Sequence, residues 1–254
     1  MTASGQPEAA LSVLPRADGS ATYSYAGYTV TASANGPIEA QRRDENPYEA
    51  VVDVIVRPAA GVGGTRERHL ESLLQSTLQQ IIVVKNFPRC LIQVVLQVTA
   101  APANEYTNTK LVQASLNLPI IPALLQTAVL ALLSAAVPMS ATATSTVVAV
   151  VADDDGTNKV IADPSPRQAE DASSLHTLAF TSHDELLLVE SEGDFTMQQW
   201  DSVYETARQI CCGQKQGGSG IDMILDDGQR NGPDLRHFVR STLEAKVATD
   251  LHWK

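Results

Sequence analysis

The sequence predicts an α+β protein with two βαβα-type halves, and two patterns support this assignment. Runs in which apolar and polar residues alternate indicate strands, and apolar residues three and four positions apart indicate helices. These strands and helices follow a similar order in both halves of the chain. Apolar residues form 44% of the 254 residues and charged residues 19%, which is typical of globular proteins. We expect a single domain that spans residues 1–254.

The first half is predicted to contain four strands, one helix and a long loop. An Asp-Gly turn at 18–19 separates the first two strands. The leucines and isoleucines between Leu70 and Ile82 have the spacing of an amphipathic helix, which Thr65 could cap. A polar loop is expected at 100–117. The predicted strands are 11–14, 21–34, 51–56 and 91–99.

The middle of the chain contains no charged side chain over 42 successive positions, 111 to 152. A stretch of this kind is either a membrane span or protein core. Pro119, Pro122 and Gln126 interrupt its apolar character, so we expect core and no contact with a membrane. The pattern predicts a helix at 122–136 that is buried on all sides, followed by a buried strand at 146–152.

The second half is predicted to end in two helices. Ser182-His183-Asp184 marks the turn of a hairpin, and Thr196 lies near the start of the first helix. The glycine-rich segment 213–233 is predicted to be a loop. The predicted strands are 159–162, 175–181 and 185–190, and the predicted helices are 195–212 and 235–251.

Charge and cysteine content limit the possible function classes. The net charge of −11 and the sequence pI of about 4.8 argue against a protein that coats nucleic acid through its overall charge. Three cysteines, two of them adjacent, do not predict a disulfide framework. The first residues lack the basic and apolar segments of a signal peptide. We therefore expect a soluble protein of a reducing compartment.

Few side chains indicate chemistry on their own. Arg66 and Arg68 begin the first helix, where the N-terminus favours anions, so they could contact phosphates; ordinary surface charge is the alternative. Asp163, Glu170 and Asp171 could hold a divalent metal, although a solvated acidic loop is favoured. The sequence contains no Walker, Rossmann or G-x-S-x-G motif. We predict neither a metal nor a cofactor.

Segments spread along the chain resemble the ribonuclease PH family in their order and spacing. They are Leu14-Pro15-Arg16-Ala17-Asp18-Gly19-Ser20-Ala21, Gly27-Tyr28-Thr29-Val30, Gly36-Pro37, Arg57-Pro58, Arg66-Glu67-Arg68, Phe87-Pro88-Arg89, the strand from Ile92 to Val98, Ala131-Leu132, Ala136-Val137-Pro138-Met139 and Asp163-Pro164. Within that family the chain is similar to the ring subunits of the eukaryotic RNA exosome, of the type called exosome component five. The resemblance implies a ribonuclease PH-like fold, related to domain 2 of ribosomal protein S5, and a place in a six-membered ring.

The resemblance also bears on catalysis, because active members of the family degrade RNA by phosphorolysis. They hold inorganic phosphate with a Gly-Gly-Thr-Arg or Gly-Ser-Arg segment at the start of the buried helix, and a pair of aspartates supports metal and acid chemistry. That segment corresponds to Leu118-Pro119-Ile120-Ile121 here, and positions 111–158 contain no Arg, Lys or His. Asp163 matches the first aspartate, whereas Ala169 stands at the second, with Glu170 beside it. We therefore predict no catalytic residues.

Three functions remain open at this point. The first is a non-catalytic exosome ring subunit that lines the RNA path with Arg66 and Arg68. Its expected partners are other ribonuclease-PH-like subunits in a hetero-hexameric ring, the cap subunits and RNA, in the nucleus, nucleolus and cytoplasm. The second is an active phosphorolytic 3′-exoribonuclease that uses Lys110 and Glu170, and the third is a free-standing binding domain. Phosphate-dependent RNA shortening separates the first two, and copurification of ring subunits separates the third.

Overall fold

Two β-sheets and the helices packed on them make up the structure, a computed structural model that describes residues 7–102, 118–152, 158–213 and 235–252. Each sheet belongs to one half of the chain, as the sequence predicts. The predicted loops 100–117 and 213–233 lie outside the described residues, apart from positions 100–102 and 213.

The first sheet has five strands in the order β1-β2-β3-β5-β4. Neighbouring strands are antiparallel except β4 and β5, which are parallel and are connected through helix α1. Alternate residues of β5, among them Val94 and Leu96, point into the core and are fully buried. The elements are β1 (Glu8–Leu11), β2 (Gly19–Tyr25), β3 (Tyr28–Glu39), β4 (Val51–Arg57), α1 (Thr65–Ile81) and β5 (Cys90–Ala100).

Three predictions for this half are wrong in detail. The predicted strand 21–34 is a hairpin, because Ala26 and Gly27 both have positive φ, 50° and 83°, and form a two-residue turn. The strand predicted at 11–14 ends at Leu11, because the next residue leaves the extended conformation. Thr65 does not cap α1: the cap is Gly64, whose N–H donates to Glu67 Oε2 at 2.6 Å.

Helix α2 (Ile121–Ser134) follows a 3-10 turn at Leu118–Ile120 and lies in the centre of the molecule. It packs on β2 and β3 of the first sheet and on strand β6 of the second. Its buried residues, Ile121 and Ala123 to Leu132, go all the way round the helix, which confirms the predicted core helix. At the C-terminal end of α2, strand β2 approaches the helix so closely that a Cβ on Gly19 would lie 2.2 Å from the Ala135 nitrogen. No helix among the described residues is long and apolar enough to cross a membrane.

The second sheet has four antiparallel strands in the order β7-β6-β8-β9. Strand β8 is buried along its whole length, since α4 packs on one face of the sheet and the other face is turned towards the 3-10 turn before α2. Thr196, predicted to lie near the start of this helix, caps α4 together with Gln199. The elements are β6 (Ala143–Ala152), β7 (Asn158–Ala162), α3 (Pro166–Glu170), β8 (Ser174–Thr181), β9 (Leu186–Gly193), α4 (Met197–Cys212) and α5 (Leu235–Asp250).

Helix α5 connects the two halves. The Arg236 guanidinium donates to the Thr181 carbonyl at 2.6 Å and forms an ion pair with Asp184 at 2.8 Å, both in the β8–β9 turn region. Phe238 packs edge-on against Tyr23 of the first sheet, with ring centroids 6.0 Å apart. Helix α5 therefore contributes to the junction between the halves.

Candidate functional site

A cleft of about 720 Å³ lies where α1, α2 and the segment after β7 begin. Three sequence regions far apart along the chain contribute to its lining: Arg66 from α1, Asp163 with Ala169 around α3, and four residues at the start of α2, namely Pro119, Ile120, Pro122 and Ala123. The fold thus assembles the positions at which the ribonuclease PH resemblance places the RNA-contacting, phosphate-binding and acidic groups. We take this cleft as the candidate functional site.

Helix α1 places the two predicted RNA-contacting arginines on different sides. Arg66 is half-buried and lines the cleft, whereas Arg68 is exposed and does not line it. Two positions along a helix correspond to a rotation of about 200°, which explains the separation. Burial raises the pKa of Tyr28, another lining residue, to about 12, and the positive charge of Arg66 opposes that rise.

The start of α2 is apolar where an active family member would hold phosphate. Ile120 and Ile121 are buried, and the first turn of the helix has no side-chain cap among the described residues. Pro122 occupies the second position of the helix and has no N–H to donate. An anion here would lose its hydration without gaining a cationic partner from this segment, which disfavours phosphate.

Asp163, which lines the cleft together with a second acidic residue, Glu67, is held by hydrogen bonds from the protein. The Tyr25 hydroxyl donates to Oδ2 at 2.6 Å, and the Thr146 hydroxyl donates to Oδ1 at 3.3 Å. Burial raises the pKa of Asp163, and the hydrogen bonds from Tyr25, Thr146 and the Val147 backbone oppose this rise. Burial, together with the nearby Asp163, also raises the pKa of Tyr25. The carboxylate therefore ties the end of β7 to β2 and β6.

The other acidic candidates do not join Asp163. Ala169 lines the cleft on helix α3, whereas Glu170 and Asp171 are exposed and lie outside the lining. Among the residues that the structure describes, no three His, Cys, Asp or Glu side chains are grouped to hold a metal ion. Lys110, the cation of the alternative enzymatic hypothesis, lies outside the described residues.

The sequence analysis missed two tyrosines of this site. Tyr25 bonds Asp163 across 138 positions of sequence, and Tyr28 lies in the same lining. No local spacing predicts a contact between residues so far apart. The available signal was the alternation of β2 and β3, which places Tyr23 and Tyr25 on one side of the strand.

Comparison with known proteins identifies the family. Residues 6–138 match the 3′ exoribonuclease family, domain 1, and residues 143–222 match domain 2 of that family. The Exosome complex component RRP46 of Saccharomyces cerevisiae is 31% identical over 210 residues, which are 80% of this chain and 89% of that protein. The Exosome complex exonuclease RRP46 homolog of Oryza sativa is 36% identical over 85 residues, 34% of this chain and 36% of that protein.

The crystal structure of rice Rrp46 has the same fold, with a TM-score of 0.66 at 24% sequence identity; the match covers 81% of this chain and 87% of the rice chain. The two sheets, the buried central helix and the cleft at its start are thus found in a chain that matches both domains of one family. The chain belongs to the ribonuclease PH family of 3′ exoribonucleases.

Proposed function

We propose that the chain is a non-catalytic structural subunit of the RNA exosome ring, which supports 3′-to-5′ RNA processing and degradation without cleaving RNA itself. The apolar start of α2 carries this proposal: the family resemblance places the cationic phosphate segment of phosphorolysis at Leu118-Pro119-Ile120-Ile121, where the chain has no cation and Ile120 and Ile121 are buried. In phosphorolysis, phosphate is the nucleophile, and a bidentate guanidinium has to bind and orient it. Removing such a group typically lowers the rate about 10²- to 10³-fold.

The acidic part of the site supports the same conclusion. Ala169 cannot act as an acid or a metal ligand, and Glu170 is exposed and does not line the cleft. The Asp163 carboxylate already accepts hydrogen bonds from Tyr25 and Thr146. A remaining aspartate held in this way has a structural role in joining strands.

The proposed partners are the other ribonuclease-PH-like subunits of a hetero-hexameric ring, the cap subunits and RNA. The similarity of 80% of this chain to a yeast protein named as an exosome complex component supports association with exosome subunits. Edge strand β1 of the first sheet offers unpaired backbone groups for such contacts, whereas at edge strand β4 side chains of α1 already bond the Val56 N–H and the Val52 carbonyl. As an exosome subunit, the chain is proposed to be located in the nucleus and the cytoplasm, and within the nucleus also in the nucleolus.

Arg66 and Arg68 are proposed to contact RNA in the assembled ring. Arg66 lines the cleft and Arg68 is exposed on the same helix, so each could neutralise a phosphate of a strand that passes this end of α1. Contacts of this kind carry no base information, so the proposed role in the RNA path does not depend on sequence.

The alternative is an active phosphorolytic exoribonuclease. The rice relative's name contains the word exonuclease, and Asp163 remains in the cleft. This alternative needs a cation that binds phosphate at the start of α2. The described lining supplies only Arg66 and His69, and both belong to helix α1. The geometry therefore favours the structural role.

A phosphorolysis assay tests the proposal. The purified chain, alone and within a reconstituted ring, is incubated with single-stranded RNA at increasing inorganic phosphate, and released nucleoside diphosphates are measured. We expect no release above the buffer control. Phosphate-dependent release that the variant Asp163→Asn abolishes would assign the activity to this cleft and overturn the proposal. Release that is equal in the wild type and in Asp163→Asn would come from another subunit or a contaminant.

A further inference from the structure

Strand β9 is an open edge of the second sheet. In the order β7-β6-β8-β9 it pairs with β8 alone among the described strands. An edge strand leaves alternate backbone N–H and C=O groups free to pair with an added strand. Helix α4 packs on β6, β7 and β8, and Val189 of β9 remains 37% exposed.

The two faces of β9 have different chemistry. The register places Val189 opposite Leu178, whose side chain packs in the cluster under α4, so the α4 side of β9 is apolar at this position. The next residue on that side, Ser191, is hydrogen-bonded to His176, and beyond the strand lies Phe195, 42% exposed. Glu190 and Glu192 lie on the opposite face of β9, together with Leu188.

The charge around β9 is strongly negative. Positions 168 to 207 contain no lysine or arginine. The acidic residues in this range are Glu170, Asp171, Asp184, Glu185, Glu190, Glu192, Asp194, Asp201 and Glu205. Of these, Asp184 in the β8–β9 turn is paired with Arg236 of α5. The ion pairs of the described residues include none from β9. A partner that pairs with β9 therefore gains from positive charge.

We propose that β9 accepts an added strand from a protein partner whose residues alternate between apolar and basic. In such a pairing, apolar side chains lie beside Val189 on one face, and lysines or arginines lie beside Glu190 and Glu192 on the other. A second copy of this chain fits poorly, because its own β9 would bring glutamates against glutamates. The same charge repels RNA. This surface is separate from the cleft, and the proposal does not depend on the function proposed above.

A designed peptide tests the pairing. The probe is a fluorescent, end-blocked peptide of four Val-Lys repeats, and the control peptide has the same composition as four valines followed by four lysines. Binding to the full chain is measured by anisotropy, and amide exchange shows where the peptide binds. We expect saturable binding of the alternating peptide, slower exchange in β9, and about tenfold weaker binding of the control peptide. Equal affinity for both peptides, or slowed exchange only outside β9, would overturn the proposal.

Matched charge reversals test the role of the glutamates. The variant Glu190→Lys with Glu192→Lys should weaken binding of the alternating peptide about tenfold, through two lost attractions and two new repulsions. The control variant Asp44→Lys with Glu45→Lys changes the net charge equally on an exposed loop of the first half and should leave the affinity within about twofold. Should the first variant fail to fold, Glu190→Gln with Glu192→Gln replaces it, with a smaller loss expected. Equal losses in the β9 and control variants would show non-specific attraction and contradict the proposal.

Discussion

Leu124 tests whether α2 is the shared core of both sheets. The residue is fully buried, in a cluster that includes Val94 of β5, Ala143 of β6 and Ala179 of β8. Leu124→Ala removes three carbon atoms, and at about 0.8 kcal/mol per carbon the transfer contribution is about 2.4 kcal/mol. The cavity that remains among tightly packed neighbours adds to this, so we expect the free energy of unfolding to fall by about 3–4 kcal/mol.

Urea unfolding with two probes measures this loss in both halves. Trp200 fluorescence, isolated by the substitution Trp253→Phe in every variant, follows the second sheet, and amide exchange of β5 follows the first. Because α2 packs on both sheets, both probes should report one transition, displaced by the same amount. The control Val62→Ala, at a side chain 96% exposed, should change stability by less than about 0.5 kcal/mol. A loss below about 1 kcal/mol, or a displaced transition in one sheet only, would refute the shared core and the single-domain prediction.

Three further variants or reactions test individual parts of the structure. Burial raises the pKa of Asp163, so its contribution to stability is complete below the ordinary carboxyl pKa and is lost as pH rises through the raised pKa of the folded state. Tyr25→Phe removes a hydrogen bond that opposes this rise and should cost about 1.5–3 kcal/mol in urea unfolding at pH 7. The cost should be smaller at pH 3, where the carboxyl is protonated in both states. Equal costs at both pH values would contradict this. Arg66→Ala with Arg68→Ala should weaken RNA binding by the assembled ring and lower the salt slope by about 0.7 per lost contact, with assembly intact; unchanged affinity and slope would remove both residues from the RNA path. Cys211 is buried, and burial raises the pKa of its thiol, so it should react with iodoacetamide more slowly than the other two cysteines of the native chain. Mass mapping should find Cys211 unmodified when the others have begun to react. Early labelling of Cys211 would contradict its burial.

The sequence predicts the elements that have one strong period. Strand β5 was expected at 91–99 and spans Cys90–Ala100, because one apolar face and one polar face make its alternation clear. Helix α2 is predicted without any periodicity, because a long uncharged stretch indicates core once a membrane is disfavoured, and α2 is the part of that stretch that is buried all round. The hairpin at Ala26–Gly27 was missed because alternation continues through a two-residue turn.

The sequence points to some of the residues that line the cleft but not to their spatial arrangement. Resemblance along the chain singled out Arg66, Asp163 and Ala169, and the fold brings all three to one cleft. Their arrangement depends on tertiary packing. Packing decides that Arg66 is half-buried while Arg68 is exposed, and it brings Tyr25 to Asp163 from strands that no local pattern relates. The absence of lysine and arginine from positions 168–207 is a property of the sequence, but only the strand order shows that this segment contains an open edge.

Native mass spectrometry after reconstitution tests most directly whether the chain is a structural ring subunit. The chain is mixed at micromolar concentration with the other ribonuclease-PH-like exosome subunits, and the mass and composition of each complex are determined. The account predicts a stable heteromeric complex containing one copy of this chain, with interfaces that each bury more than about 1,000 Å². A chain that remains a monodisperse monomer in the presence of all the other ring subunits would contradict it.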